Sequence, residues 1–151
     1  MKKLYLILPV IMILLVVGCG ESGTKTCTID RNSYTETDKI TGKDGKVSEM
    51  EMTFVYDNSL LGGKSLKDFS DEQKEMLKKE MLNRLGLEKE VNEGLEVKFD
   101  MEDQMKLSMK VDVNKVDKDI LSKIGVDFSG VANTDYSSAI KTFEDGGYTC
   151  K

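Results

Sequence analysis

Apolar and polar residues alternate along three stretches of the chain, which is the pattern of a β-strand with one buried face and one face in water. The stretches run from Val47 to Tyr56, from Leu95 to Met101 and from Met105 to Val113. Glu102 and Asp103 lie at the bend between the second stretch and the third. The pattern therefore predicts one strand and, further along the chain, an antiparallel hairpin.

A further strand is predicted at residues 27–33, CTIDRNS, because threonine and isoleucine favour extended backbone. The pair Asp44-Gly45 follows it, and this pair is typical of tight hairpin turns. A tight turn is therefore expected just before the strand that begins at Val47.

Apolar residues at helical spacing predict the main helix of the chain after Ser70. Ser70 and Gln73 have the spacing of a capping box, and Gly86 marks the end of the helix. The expected apolar stripe contains Leu77, Met81 and Leu85, supported by Met76 and Leu82.

Two shorter helices complete the pattern. One is predicted at residues 117–124, and the last begins near Asp135 and stops at Gly146-Gly147, burying Tyr136, Ala139, Ile140 and Phe143. The main elements thus follow the order strand, strand, helix, strand, strand, helix. We predict an α+β fold, an antiparallel sheet of about four strands with helices packed on one face.

The first residues have a different pattern, two lysines followed by an apolar run from Leu4 to Val17. A basic start, an apolar core and a small residue before the break are typical of a secretory signal. The run is shorter than the ~20 residues that a helix needs to cross the hydrocarbon core of a bilayer. We therefore interpret residues 1–18 as a signal peptide rather than a retained membrane helix.

The run ends in Val16-Val17-Gly18-Cys19, which resembles the lipobox of bacterial lipoproteins. The resemblance implies acylation of the Cys19 thiol, for example with palmitate, cleavage before Cys19 and acylation of the new amino terminus. Several acyl chains give stable anchoring where a single chain gives only marginal binding. The alternative, a buried thiol at the end of a hydrophobic helix, is disfavoured because the following GESGTKT is polar and glycine-bearing.

Three segments follow from this interpretation: a signal peptide at 1–18, a lipidated cysteine and tether at 19–26, and a single α+β domain at 27–151. The expected location is the extracytoplasmic face of the cell membrane. Because Gly20 rather than an aspartate follows Cys19, the outer membrane is the expected destination in a host with two membranes.

Composition and charge narrow the range of partners. Removal of residues 1–18 leaves 133 residues and takes two lysines, so the net charge falls from −5 to −7. An acidic surface disfavours nucleic acid as a partner. The expected partners are the lipid bilayer, through Cys19, and an envelope protein or a small ligand, and no cofactor is predicted.

Two cysteines remain, Cys27 and Cys150, at opposite ends of the expected domain. In an exported protein an even pair indicates a disulfide, and two free thiols are the alternative. A catalytic redox pair is not predicted, because a CxxC motif is absent and neither cysteine is near a recognisable base in the sequence.

The element order combined with the lipobox resembles the YehR-like family of small bacterial lipoproteins of unknown function. The stretches that carry the resemblance are MEMTFVYDN, MKVDVNKVDKDIL and the terminal TFEDGGYTCK. The resemblance implies a fold and a location. It supplies no catalytic or ligand residues.

Five candidate sites are not supported by the sequence. Gly63-Lys64-Ser65 lacks the first glycine of a phosphate loop, and Ser138 and Lys141 fit S-x-x-K without the companion motifs. Residues 112–119 lack the ligand pattern of a calcium loop, and without histidine or clustered cysteine zinc is not expected. Thioethers select Cu(I), but most of the methionines in the expected domain fall on predicted core faces. The methionines of this domain are Met50, Met52, Met76, Met81, Met101, Met105 and Met109.

The sequence therefore predicts a membrane-anchored extracytoplasmic lipoprotein, a non-enzymatic interaction or envelope module with no catalytic or metal residues. The alternative is a small-ligand or metal-binding lipoprotein that serves a transporter.

Overall fold

The structure is a computed structural model that describes residues 20–123 and 134–151. One antiparallel sheet of seven strands forms its centre, with the strand order β4-β5-β6-β3-β2-β1-β7. The strands are β1 (Gly23–Asp30), β2 (Tyr34–Lys43), β3 (Lys46–Tyr56), β4 (Val91–Asn92), β5 (Leu95–Asp100), β6 (Lys106–Asp112) and β7 (Thr149–Cys150). The helices of the described residues are α1 (Asp71–Arg84), α2 (Lys118–Lys123) and α3 (Tyr136–Asp145), with 3₁₀ turns at Asn58–Leu61 and Leu66–Asp68.

This architecture corrects the predicted fold class. The predicted α+β fold, with about four strands in the order β-β-α-β-β-α, is wrong, because the described residues form a strand-rich fold with seven strands in one sheet and few helices. The strands that sequence analysis missed are β2, β4 and β7. β4 and β7 have two residues each, too short for an alternating pattern, and β2 turns two acids, Glu36 and Asp38, toward the buried face.

The predicted strand at 47–56 and the predicted hairpin are confirmed. β3 pairs with β6, and β6 pairs with β5, so that Met52, Met109 and Val97 follow one another across the sheet. All three side chains are buried in the main core cluster. The alternation predicted these strands because the side chains of a strand point to the two faces in turn.

The turn at Asp44-Gly45 is also confirmed. Both residues have positive φ, 54° and 80°, as the tight turn between two twisted strands requires. Gly42, just before the turn, lies under the ring of Tyr136, and a Cβ atom at this position would come within 2.4 Å of that ring. Only glycine therefore lets α3 pack this closely on β2.

Helix α1 begins with the predicted capping box. The Ser70 hydroxyl accepts the N–H of Gln73 at 3.3 Å, and the Gln73 side chain accepts the N–H of Ser70 at 2.9 Å. Leu82 is buried in the core, but Met76 is 69% exposed, so its expected place beside the apolar stripe is wrong.

Helix α3 buries Tyr136 and Ala139 and packs Ile140 and Phe143 against the core, as predicted. The short helix expected at 117–124 is α2, and Ile124 lies outside the described residues.

Candidate functional site

The candidate site centres on Asp38, the buried charged side chain of the described core. Asp38 is 1% exposed, and within the described part of the chain no N–H or O–H group donates to either of its carboxylate oxygens. A buried polar group without a partner costs about 1–3 kcal/mol. Burial, then the negative charge of Glu36, and then a hydrogen bond that the protonated carboxyl shares with Glu36 raise the pKa of Asp38 from 3.8 to about 7. The carboxyl therefore keeps its proton in mildly acidic solution.

The sheet register brings Asp38 to the cysteine pair. Asp38 is directly opposite Cys27 of β1, and Cys27 is directly opposite Cys150 of β7. Directly opposite residues of antiparallel strands have their side chains on one face, with Cβ atoms about 5 Å apart. The side chains of Asp38, Cys27 and Cys150 thus form one row across the buried face. Met52 of β3, directly opposite Asp38, continues this row.

Cys27 and Cys150 form a disulfide, with Cα atoms 4.0 Å apart, which confirms the predicted pairing. The Cys27 side chain is completely buried, and the Cys150 side chain is half-buried. Beside the disulfide, Thr26 and Lys151 exchange two backbone hydrogen bonds of 3.0 and 2.9 Å. The end of the chain is therefore fixed to the first strand.

Tyr148 lies at the β7 end of this row. Burial raises the pKa of Tyr148 to about 12, with further contributions from the carboxylates of Glu36 and Asp38. Phe143 packs edge-on against its ring, with centroids 4.9 Å apart, and the guanidinium carbon of Arg31 lies 6.0 Å from the ring centroid. Tyr148 thus remains a neutral phenol beside the two acids.

An aromatic group continues the same face toward the end of β3. The rings of Tyr34, Phe54 and Tyr56 lie with centroids 5.7 to 6.4 Å apart. Burial raises the pKa of Tyr56, and the charges of Tyr34 and Glu36 add to this effect. The acids of β2 therefore lie between aromatic rings on one side and the disulfide on the other.

Sequence analysis missed this arrangement because it did not recognise β2. The signal was present in YTETDKI, where Tyr34, Glu36, Asp38 and Ile40 occupy alternate positions and share one face. The acids interrupt the apolar alternation, so the stretch does not resemble a half-buried strand. Neither cysteine is near a base along the sequence. In the folded sheet, however, β2 places Asp38 directly opposite Cys27.

The candidate sites set aside in the sequence lie elsewhere. Gly63 and Lys64 are exposed in the loop after a 3₁₀ turn, and Ser138 is exposed on α3, as is Lys141. The Asp112 carboxylate pairs with Lys115 at 2.9 Å and accepts the N–H of Asn114, and these bonds lower the pKa of Asp112.

Among residues 20–123 and 134–151, no group of three His, Cys, Asp or Glu side chains is arranged to hold a metal ion. Several methionines considered as copper ligands belong to the buried core instead: Met50, Met52, Met105 and Met109.

Cys19 and the expected signal peptide at 1–18 lie outside the described residues. The last four residues of the expected tether, 23–26, form the start of β1. In the described part of the chain no helix has the length and apolar character needed to cross a membrane.

The described chain is thus a disulfide-closed domain built on one antiparallel sheet. Solved structures of similar fold include the NMR structure of Escherichia coli YehR, with a TM-score of 0.65 and 14% identity over 87% of this chain and 91% of that one. A protein from Streptococcus pneumoniae, also solved by NMR, matches with a TM-score of 0.55 and 17% identity over 100% of this chain and 96% of that one. The predicted resemblance to YehR-like proteins is therefore confirmed as a shared fold. No family model matches the sequence, and no curated protein matches it.

Proposed function

We propose that the protein is a membrane-anchored extracytoplasmic lipoprotein whose sheet domain acts as a non-enzymatic interaction module. The observation that carries the proposal is the Cys27–Cys150 disulfide. Disulfides form and persist in oxidising compartments outside the cytoplasm. The basic and apolar start of the chain and the lipobox at Cys19 supply the matching export and attachment signals.

The start of the described chain supports a short distance between anchor and domain. β1 begins at Gly23, so a lipid on Cys19 lies within about 14 Å of the sheet, the reach of four extended residues. The Glu21 carbonyl accepts the N–H of Gly45 at 3.1 Å, and the Ser22 hydroxyl accepts the N–H of Asp44 at 3.0 Å. The proposed anchor thus leaves the domain beside the β2–β3 turn.

Metabolic labelling tests this proposal. Cells that express the full chain are grown with an alkyne-tagged fatty acid, and the protein is analysed by intact mass. We expect a labelled, membrane-bound protein that begins at Cys19, and loss of both label and cleavage in C19A. The variant C150A keeps the lipobox and is the matched control, which should be labelled like the wild type.

Two outcomes would contradict the anchor: an unlabelled wild-type protein, or a cytosolic protein that still carries residues 1–18.

Two adjoining grooves favour a second candidate function, the binding of a small ligand. They have volumes of about 410 and 300 Å³, lie between α1 and the edge of β5, and share Lys78 and Phe99. Volumes of this size suit small molecules. Native mass spectrometry of the protein purified from its host should then show a bound mass that F99A loses. An unliganded wild-type protein would argue for the interaction module instead.

A further inference from the structure

Among the described residues, no N–H or O–H group donates to the buried carboxyl of Asp38, so its ionised form is not compensated. It lies on the buried face directly opposite Cys27, which is itself directly opposite Cys150. A buried polar group without a partner in a native protein calls for a reason, and a redox role is one of the recognised ones. We propose that the Cys27–Cys150 disulfide is a thiol–disulfide exchange site for a dithiol, and that the Asp38 carboxyl donates the proton that Cys27 takes up on reduction.

The two cysteine residues differ in exposure, and this difference sets the direction of the exchange. Cys27 is completely buried, whereas Cys150 is half-buried on a strand of two residues at the edge of the sheet. An incoming thiolate therefore attacks Sγ of Cys150, and Sγ of Cys27 is the leaving group. The leaving thiolate appears in the buried row, opposite Asp38.

The reaction balances with the dithiol as the two-electron reductant. Its first thiolate forms a bond to Sγ of Cys150, the Cys27–Cys150 bond breaks, and the electron pair goes to Sγ of Cys27. The Asp38 carboxyl gives its proton to this thiolate and recovers one from solvent. The second thiol of the reagent then displaces Cys150, which takes up the other proton, and the reagent leaves as its own disulfide.

Reduction also gives the Asp38 carboxylate a hydrogen-bond donor that it lacks in the closed protein. A disulfide sulfur has no proton to donate, whereas the Cys27 thiol is a weak donor. The reduced state therefore gains a hydrogen bond that the disulfide state lacks, and the equilibrium shifts toward the dithiol form. Loss of the carboxyl should make the disulfide harder to reduce.

The other groups around Asp38 are compatible with this role. Among the described residues, the charged and titratable groups that face it are Glu36 on its own strand and Tyr148 before β7, with Arg31 against the Tyr148 ring. The carboxylate of Glu36 favours the protonated form of Asp38. The burial of Tyr148 keeps it neutral.

The test is reduction of the full chain by dithiothreitol, followed by alkylation and mass analysis of the peptides that contain Cys27 and Cys150. Three variants are compared with the wild type: D38L, D38N and, as the matched control, D100N, which changes an exposed acid at the end of β5. We expect D38L to lower the equilibrium constant for reduction about tenfold, which corresponds to ~30 mV for a two-electron couple. D100N should behave like the wild type.

The pH dependence of the reduction rate is a second readout, which a merely structural role of Asp38 would not change. After correction for the thiolate concentration of the reagent, the wild-type rate should fall as the pH rises through about 7, where Asp38 loses its proton. D38N should react about tenfold more slowly at pH 6 and show no such fall, because its amide cannot supply the proton.

Three results would overturn the proposal. These are a wild-type disulfide that dithiothreitol reduces only after unfolding, an equilibrium constant unchanged in D38L, or a pH profile unchanged in D38N. The test does not depend on whether Cys19 is lipidated, so it is independent of the proposed anchor.

Discussion

Asp38 loses its hydration in the folded chain, and no N–H or O–H group among the described residues donates to its carboxylate. At the residue scale, Asp38 therefore makes the stability of the folded state depend on pH. The pKa of Asp38 is about 7 in the folded chain and 3.8 as the ordinary value, so the folded state holds its proton more tightly. The proton stabilises the folded state below pH 4, and this stabilisation is lost as the pH rises toward 7.

We therefore predict that the free energy of unfolding falls between about pH 4 and pH 7, by on the order of 2–4 kcal/mol. Chemical denaturation at a series of pH values measures it. In D38L the fall should disappear, and at pH 8 this variant should be more stable than the wild type by about 1–3 kcal/mol, because an unpartnered polar group is removed. D100N should keep the wild-type slope, and a D38L curve that still falls in this window would contradict the assignment.

At the scale of single elements, the local signals in the sequence predict some elements well and others not at all. β3, β5 and β6 were predicted because an apolar residue occupies nearly every inward position. β2 has the same geometry but two acids on its inward face. Its formation depends on pairing with β1 and β3 on both sides, a long-range interaction that a local pattern does not contain.

Helix α1 is the opposite case, since its beginning depends on a local interaction. Replacement of Ser70 by alanine removes the acceptor for the Gln73 N–H, so S70A should lower the free energy of unfolding by about 1 kcal/mol. Denaturant titration measures this loss. The matched control is S137A in α3, where the serine is exposed and does not occupy the N-cap, and we expect a change within about 0.5 kcal/mol. If S70A and S137A lowered the free energy of unfolding equally, the capping box would contribute nothing to stability.

At the scale of the whole molecule, the disulfide closes nearly the complete described chain, because it joins residues 123 positions apart. A cross-link over a loop of this length removes conformational freedom from the unfolded chain and typically contributes about 2–5 kcal/mol, a large fraction of the net stability of a domain. It also connects β7, with only two residues, to the sheet edge.

The double variant C27A/C150A should therefore lose about 2–5 kcal/mol in the free energy of unfolding. Thermal and denaturant unfolding of the full chain measure the loss, and C19A, which leaves the pair intact, is the control. Wild-type protein with reduced cysteines should be similarly destabilised. If the double variant were as stable as the wild type, the disulfide would contribute nothing to the free energy of unfolding.

The sequence alone determined the elements whose signals are local: the strands with apolar alternation, the capped helix and the tight turn at Asp44-Gly45. It also predicted the pairing of Cys27 with Cys150, and the structure decided between this disulfide and two free thiols.

Only the tertiary structure decided the number of strands and the surroundings of the disulfide. Strands of two residues and a strand with inward acids exist because neighbouring strands complete their hydrogen bonds, and the neighbours come from distant parts of the chain. Asp38 faces Cys27 for the same reason, since strand register is a property of the assembled sheet. The buried carboxyl beside the disulfide is thus a consequence of strand pairing, which no local pattern of residues specifies.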